Sequence, residues 1–320
     1  MASKICILCP GQGAQVVGMG KDYFEASEVA RGVFEGANSI LGFDLGAICF
    51  GGPEERLNQT DISQPAIYVT SVAAYEAARS RGIIDDAEVG VLAGLSLGEY
   101  TALHLGGAIS FEVGLKLVAA RGRYMQEAAV AVPSSMVAIL GADESAVAGL
   151  CEKASQGEVL VAANFNAPGQ IVVSGAMGSC KRVLQIAEAA GFKAVELKVA
   201  GAFHSPLMQP AADRMRGELE KVRIARPERM VYANVTAQPH AEPGEIKRLL
   251  VEQIVRPVKW EQTMQSLINQ PMRFVELAPG RTLTGLAKKI NRRAAIESLA
   301  SADALKEEVG SAHPSNKEGK

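Results

Sequence analysis

Short apolar runs alternate with longer amphipathic segments over the first 130 residues. One apolar run spans Lys4–Cys9 and another Val89–Ala93, and each stops at a glycine-rich segment, which is typical of buried strands that enter loops. Helical periodicity occupies the ranges 23–41, 64–81, 99–105 and 111–128. Strands that alternate with helices predict a parallel sheet covered by helices on both faces.

The pattern changes between residues 130 and 199, where the predicted elements are shorter. Strand-like runs cover 136–140, 159–163, 171–174 and 194–199, and helical patterns cover 143–154 and 178–190. Pro168-Gly169 suits a tight turn between the two middle strands. The order βαββαβ is the ferredoxin-like arrangement, and it is small enough to be an inserted subdomain.

The α/β pattern returns after Gly201, with strand-like runs at 230–234 and 274–277 and helical patterns from 206, 245–254 and 283–290. We therefore predict an α/β fold in which a parallel-sheet domain, residues 1–129 and 200–300, contains a ferredoxin-like subdomain, residues 130–199. Beyond Ala300 the chain is small, polar and charged, so residues 301–320 are expected to form a disordered tail.

Composition narrows the class of protein. The 320 residues, 48% hydrophobic and 21% charged, describe a globular protein that can bury a core without disulfides or metals. The net charge of −2 argues against a nucleic-acid-binding protein. No segment approaches the roughly 20 apolar residues of a membrane-spanning helix, and no secretory signal opens the chain, so neither is expected.

Five cysteines are scattered along the chain, and Cys6 and Cys9 lie within the first apolar run. No second Cys/His pair follows at zinc spacing, so we interpret them as buried thiols and expect no metal site. Thiols without partners fit a reducing, cytoplasmic compartment.

The strongest chemical signal is the motif Gly94-Leu95-Ser96-Leu97-Gly98, which lies between a predicted buried strand and a predicted helix. This G-x-S-x-G pattern needs that context, because small flanking residues allow a sharp turn that exposes the serine hydroxyl. The N-terminus of the following helix would favour an oxyanion forming there. We predict Ser96 as a nucleophile, whereas the alternative is a serine that only caps a helix.

A serine nucleophile needs a base, and the chain has four histidines. His104 lies eight residues along the next helix, roughly 12 Å away at about 1.5 Å per residue. His240 is predicted in a loop and His313 in the polar tail. His204 remains, predicted at a strand end just before a helix, where such sites assemble in parallel sheets. A histidine that caps this helix is the alternative.

Two nucleotide-binding patterns fail in the loop that begins Gly11-Gln12-Gly13. Val16 occupies the place of the third glycine of a dinucleotide fingerprint, and no Gly-Lys-Ser/Thr follows as a phosphate-binding loop requires. The amides near Gln12 are instead candidates to donate to an oxyanion, with a purely structural turn as the open alternative.

Arg121 lies in the middle of a predicted helix, beside the apolar stripe of Leu117, Val118 and Met125. A guanidinium near a buried face needs an anion, and it binds a carboxylate in a bidentate manner. The sequence leaves two interpretations open, a substrate carboxylate or an internal salt bridge.

Several blocks taken together resemble the malonyl-CoA:acyl carrier protein transacylases of bacterial-type fatty acid synthesis. They run in order over residues 5–290: Pro10-Gly11-Gln12-Gly13, Gln64-Pro65-Ala66, Gly94-Leu95-Ser96-Leu97-Gly98-Glu99, Arg121-Gly122-Arg123, Asn164-Phe165-Asn166-Ala167-Pro168-Gly169, Gly201-Ala202-Phe203-His204-Ser205, Gln253 through Trp260, and Pro279-Gly280-Arg281-Thr282-Leu283. The resemblance implies a hydrolase-like α/β domain with an inserted ferredoxin-like subdomain, in agreement with the pattern above. It also implies malonyl transfer from coenzyme A to the phosphopantetheine thiol of an acidic acyl carrier protein.

The resemblance also implies roles for individual residues. Ser96 would be the nucleophile and His204 the acid/base, oriented by the main-chain carbonyl of Gln253. The backbone amides of Gln12 and Leu97 would form the oxyanion hole. Arg121 would hold the malonyl carboxylate, Asn164 and Asn166 would face the cleft, and Phe203 belongs to the malonyl-preferring form of its motif. No metal or redox cofactor is implied, and a monomer is expected.

This chain has Leu95 where many members of that family carry histidine, and we expect little effect because that histidine is not the base. Two other readings stay open. An α/β-hydrolase esterase shares the serine motif, but its histidine is expected nearer the C-terminus. A non-enzymatic subunit that docks carrier protein would not need Ser96, His204 and Arg121 together.

Overall fold

The computed structural model describes residues 4–306, which form two sheets surrounded by helices. The strands of this range are β1 Lys4–Cys9, β2 Val89–Gly94, β3 Ser134–Leu140, β4 Leu160–Ala167, β5 Gln170–Ala176, β6 Lys193–Glu196, β7 Met230–Ala233, β8 Gln238–Pro239, β9 Met272–Leu277 and β10 Ile296–Leu299. The α-helices are α1 Lys21–Ala26, α2 Glu28–Leu41, α3 Leu45–Gly51, α4 Glu54–Leu57, α5 Thr60–Ser80, α6 Gly98–Leu105, α7 Phe111–Ala131, α8 Glu144–Ser155, α9 Met177–Ala189, α10 Gln209–Lys221, α11 Pro243–Val255, α12 Trp260–Leu267 and α13 Thr282–Ile290.

The larger sheet has the strand order β10-β9-β1-β2-β7-β8. Its neighbouring strands are parallel except for β8, which lies antiparallel to β7 at the edge. The central strand β1 is buried from Ile5 to Cys9, as expected for a strand covered on both faces. The predicted parallel sheet is confirmed.

The smaller sheet has the order β4-β5-β3-β6 and is antiparallel throughout. With α8 and α9 it gives the order βαββαβ, which confirms the predicted ferredoxin-like subdomain. It has a core of its own, which includes Val137, Leu150 and Val173. Backbone hydrogen bonds of 2.9 Å join Val258 to Ala163 and Phe165 of β4, so this sheet is tied directly to the larger domain.

Several elements differ from the sequence-based expectation. The predicted helix over 23–41 is two helices, because Ser27 is extended (φ −139°) and its side chain accepts a hydrogen bond from the Ala30 amide as the cap of α2. The elements α3, α4, α12, β8 and β10 are short, and their patterns were too brief to predict.

The prediction of a disordered tail is wrong for the first residues of the range 301–320. Residues 302–306 form a short 3₁₀ helix, and the Ala302 amide donates to the Asp22 carboxylate at 2.6 Å. Residues 307–320, including His313, lie outside the described residues.

Candidate active site

Ser96 lies at the carboxyl end of β2, in the turn that leads into α6. A Cβ on Gly94 would lie 2.0 Å from the backbone of Gly98, and a Cβ on Gly98 would lie 2.1 Å from the Cys9 carbonyl oxygen. Both positions therefore require glycine. The tight turn holds Ser96 in the left-handed region (φ 52°), a strained conformation for a residue with a side chain that is found at nucleophile turns.

The structure brings Ser96, His204 and Gln253 together as predicted. Ser96 Oγ lies 2.8 Å from His204 Nε2, and His204 Nδ1 lies 2.7 Å from the main-chain carbonyl oxygen of Gln253. A carbonyl oxygen can only accept a hydrogen bond, so Nδ1 carries the proton and the Nε2 lone pair faces the serine hydroxyl. This is the arrangement of a nucleophile with a general base.

The predicted placement of His204 at a strand end is wrong. Strand β6 ends at Glu196, not Val199, and it belongs to the smaller sheet. His204 lies in the irregular segment between β6 and α10 with a positive φ of 57°. The connection between the two domains therefore carries the base across to the end of β2.

Burial and, to a smaller extent, the nearby Arg121 cation together lower the pKa of His204 to about 4. The imidazole is only 4% exposed. A carbonyl partner, unlike a carboxylate, brings no negative charge to offset these effects. The imidazole is thus neutral near pH 7 and can accept a proton from Ser96.

This lowered pKa predicts an unusual pH profile. The base must be neutral to act, so kcat/KM is expected to stay flat as pH falls from 8 through the ordinary histidine range and to decline only as pH approaches about 4. A substrate carboxylate paired with Arg121 would offset part of the lowering, so the acid limb of kcat should lie at higher pH than that of kcat/KM. Initial rates in buffers of constant ionic strength measure both limbs.

Incubation of the enzyme at each low pH, followed by assay at pH 7.5, is the control for irreversible acid inactivation. Full recovery excludes that cause, and circular dichroism at each low pH shows whether the enzyme stays folded while the rate declines. An acid limb of kcat/KM near the unperturbed histidine value of about 6.5 would contradict the predicted environment of His204.

Arg121 is 1% exposed, and all its hydrogen-bond partners are neutral. Its Nη1 donates to Gln64 Oε1 at 2.6 Å, and its Nη2 donates to Gln253 Oε1 at 2.9 Å and to Ser96 Oγ at 3.0 Å. Its Nε has no partner within the described range 4–306. Burial lowers the pKa of this guanidinium. Within the same range Arg121 forms no ion pair, so the interpretation as an internal salt bridge is wrong. The buried Glu99 carboxylate acts on the guanidinium only from beyond the Gln253 side chain, so the cation next to the serine has no anion in direct contact.

A cleft of about 350 Å³ opens above these residues between the two domains. It is lined by Gln12, Ser96, His204 and Phe203 from the larger domain and its connections, and by Asn164 and Asn166 of β4. Asn166 Oδ1 is buried and lacks a hydrogen-bond partner among the described residues. These predicted residues therefore face a common space.

The predicted oxyanion hole consists of the backbone amides of Gln12 and Leu97. Neither amide donates to another backbone group of residues 4–306. The Leu97 side chain itself is fully buried beneath the turn. A Cβ on Gly11 would lie 2.3 Å from the Leu95 carbonyl oxygen, so the Gln12 loop packs directly against the Ser96 turn. The role of the two amides stays a prediction.

Four polar residues of the site were not predicted from the sequence. Gln64 contacts Arg121, and Asn234 Oδ1 accepts from the Ser96 amide at 2.6 Å. Glu99 and His240 lie behind the turn, 2.8 Å apart. His240 does lie in a loop as predicted, directly after β8, but its side chain is buried against Glu99. Asn234 did carry a signal, because it ends a predicted strand and such ends share one edge of a parallel sheet.

Ser96 thus lies on a nucleophile turn beside a buried neutral imidazole, at the carboxyl edge of the parallel sheet, and the small antiparallel sheet lies across the cleft. This arrangement defines the class of serine–histidine α/β acyltransferases. The chain belongs to the acyl transferase domain family, whose model matches residues 7–318. It is 40% identical to the malonyl CoA-acyl carrier protein transacylase of Bacillus subtilis over 91% of this chain and 92% of that one. It is 38% identical to the transacylase of the same name from Escherichia coli strain K12, over 90% and 93%.

Solved structures of the same family superpose closely. The malonyl CoA-acyl carrier protein transacylase of Coxiella burnetii has a TM-score of 0.91 and 38% identity over 95% of this chain and 96% of that one. A malonyl-transacylase solved in complex with a type II polyketide acyl-carrier protein has a TM-score of 0.90 and 35% identity over 95% and 98%. These relatives confirm the family that the motifs indicated.

Proposed function

We propose that this protein transfers the malonyl group of malonyl-CoA to the phosphopantetheine thiol of an acyl carrier protein, through an ester on Ser96, and so supplies fatty acid biosynthesis. The observation that carries the proposal is Arg121, a buried cation that contacts no anion among residues 4–306 and lies 3.0 Å from the nucleophile. The malonyl carboxylate is two bonds from the carbonyl carbon that Ser96 attacks. A cation this close to Ser96 therefore matches malonyl more closely than longer acyl groups.

In the first half-reaction Ser96 Oγ attacks the thioester carbonyl carbon and its proton passes to His204 Nε2. The tetrahedral oxyanion lies against the amides of Gln12 and Leu97. The C–S bond then breaks, the coenzyme A sulfur takes the proton from Nε2, and malonyl-Ser96 remains. His204 is neutral again.

In the second half-reaction the carrier protein's thiol loses its proton to His204 Nε2 and attacks the malonyl-Ser96 ester. The C–O bond breaks, and Ser96 Oγ recovers the proton from Nε2. Atoms and charge balance in both halves with the residues named, so the proposal needs no metal or redox cofactor.

Mass spectrometry of intact protein after incubation with malonyl-CoA tests the function. We expect a malonyl adduct on Ser96 that holo carrier protein removes with formation of malonyl-carrier protein. Rapid release of free malonate without transfer would indicate an esterase. Complete absence of an adduct, with no product, would overturn the proposal and indicate a non-enzymatic protein.

Two basic clusters of the sequence could dock an acidic carrier protein, and their surroundings differ. One cluster consists of Lys181, Arg182 and Lys193, and its Arg182 already donates hydrogen bonds to Glu158 and to backbone carbonyls. The other cluster lies at and just beyond the end of α13, where Lys289 contacts Gln170 on the rim of the cleft at 2.5 Å. This α13 cluster consists of the exposed residues Lys288, Lys289, Arg292 and Arg293.

Reversing the charge of Lys288 and Lys289 to glutamate is expected to raise KM for carrier protein roughly 10-fold at low salt, with kcat and KM for malonyl-CoA unchanged. The effect should shrink as salt is added, because exposed charges are screened within about 10 Å at 0.1 M. Lys181→Glu with Lys193→Glu is the matched control and should have little effect. An unchanged KM in the α13 variant would exclude this cluster as the docking site.

Two further features belong to the proposal. A monomer is proposed as the active unit. All five cysteines are buried with free thiols, which supports a reducing, cytoplasmic location. No described helix is long and apolar enough to cross a membrane.

A further inference from the structure

A buried carboxylate lies behind the Ser96 turn and takes no part in the proposed half-reactions. Glu99 is in the first turn of α6 and is 1% exposed. Its two oxygens accept three hydrogen bonds, from the Asn234 amide at 2.9 Å, from Gln253 Nε2 at 2.7 Å and from His240 Nε2 at 2.8 Å. A carboxylate with this many buried donors is costly to disturb, because each donor loses its partner when the carboxylate is removed.

The Gln253 side chain connects this carboxylate to the site. Its Nε2 donates both to Glu99 and to the Ser96 carbonyl oxygen at 3.0 Å, and its Oε1 accepts from Arg121 Nη2. An amide has two ends of opposite character, so the Nε2 end must face the two acceptors and the oxygen end must face the guanidinium. Glu99 therefore determines that the oxygen end of the Gln253 amide, and not the nitrogen end, faces Arg121.

The same carboxylate supports the serine turn from a second direction. The backbone amide of Asn234 donates to Glu99. The Asn234 side chain accepts at Oδ1 from the Ser96 backbone amide and donates from Nδ2 to the Gly94 carbonyl oxygen at 2.7 Å. The strained turn is thus connected to Glu99 in two ways, through Asn234 at the Ser96 amide and through Gln253 at the Ser96 carbonyl. His240, in turn, is fixed to β7 by its amide, which donates to the Val231 carbonyl at 2.8 Å.

We propose that Glu99, held by His240, is a positioning residue for the transfer reaction that orients the Gln253 amide toward Arg121 and holds the Ser96 turn. The proposal rests on the proposed function. The consequence is specific: malonyl transfer uses both the turn and Arg121, whereas acetyl transfer uses only the turn. Loss of Glu99 should therefore impair malonyl transfer more than acetyl transfer.

The test measures kcat/KM for malonyl-CoA and acetyl-CoA in parallel. We expect Glu99→Ala to lower kcat/KM for malonyl-CoA roughly 100-fold and that for acetyl-CoA about 10-fold, so that the preference for malonyl falls about 10-fold. This ratio does not depend on the fraction of folded enzyme, so partial unfolding cannot produce the change. Thr101→Val is the control, a buried isosteric change in the same helix at a hydroxyl with no partner in residues 4–306, and it should leave the ratio as in wild type.

Conservative and combined variants identify the part of His240. Glu99→Gln keeps one acceptor oxygen for Asn234 and Gln253, and its amide can donate to the other tautomer of His240, so we expect a preference within about threefold of wild type. His240→Leu should lower the preference in the same direction as Glu99→Ala, but by less. Because His240 acts through Glu99, adding His240→Leu to Glu99→Ala should lower the preference no further.

The outcomes separate this inference from the proposed function. Wild-type enzyme that fails to transfer malonyl refutes the proposed function. Wild-type enzyme that transfers malonyl, combined with a Glu99→Ala variant whose malonyl preference is unchanged, overturns the positioning role alone. If Glu99→Ala does not fold, His240→Leu decides, because an unchanged preference in that variant also overturns it.

Discussion

Ser96→Ala is expected to abolish malonyl transfer, with a fall of at least about 10⁴-fold in kcat and no covalent adduct. In the proposed reaction the serine oxygen forms the bond to the malonyl group, and no other described hydroxyl lies within hydrogen-bonding distance of His204. Transfer from malonyl-CoA to holo carrier protein, with mass spectrometry of the enzyme, measures both effects.

Two further variants make this result interpretable. Ser174→Ala, at a buried serine of β5 with an unpartnered hydroxyl within residues 4–306, should transfer normally. Ser96→Gly should be as inactive as Ser96→Ala but more stable by about 1 kcal/mol, because glycine adopts the positive φ of this turn without strain. An adduct or near wild-type transfer in either Ser96 variant would mean that the nucleophile is assigned wrongly.

His204→Ala tests the other member of the pair and is expected to cost on the order of 10³-fold or more. It should still form the malonyl adduct slowly, because the serine and Arg121 remain. A variant with near wild-type turnover would mean that another group serves as the base.

The fold was predictable wherever the apolar pattern was long or repeated. Strands β1 and β2 are continuous apolar runs because both of their faces are covered, and the βαββαβ order follows from six clear elements. The break at Ser27 was not predictable from periodicity, since α1 and α2 together keep one helical repeat across it. The short edge strand β10 is half-exposed and follows no strong pattern.

The site was predictable where a side chain performs the chemistry and that side chain belongs to a sequence motif. The flanking glycines indicate Ser96, and His204 was selected by elimination among the four histidines. The orienting carbonyl of Gln253 is a main-chain atom, which every residue has, so only the family resemblance indicated it. The pairing of Glu99 with His240 joins residues 141 positions apart, and only the packing of β7 against β2 brings them together.

Arg121→Ala is expected to reverse the substrate preference of the enzyme. The guanidinium is buried among neutral hydrogen-bond partners, so a malonyl carboxylate would be the anion in direct contact with it, and removal of one member of such a pair costs roughly 2–5 kcal/mol. This corresponds to a fall of about 30-fold to several thousand-fold in kcat/KM for malonyl-CoA. Acetyl-CoA lacks the carboxylate, so its transfer should be spared or should rise, because an unpaired buried cation has been removed from its path.

The ratio of kcat/KM for the two substrates in wild type and variant measures this reversal directly. Arg123→Ala, two residues along the same helix at an exposed arginine, is the matched control and should change neither value. Arg121→Lys keeps the charge but loses the planar fork that reaches Gln64 and Gln253 together, so it should recover only part of the malonyl activity. An equal fall for both substrates in Arg121→Ala would mean that the arginine only supports the turn. The malonyl assignment would then lose the one charged group that distinguishes this substrate from acetyl-CoA.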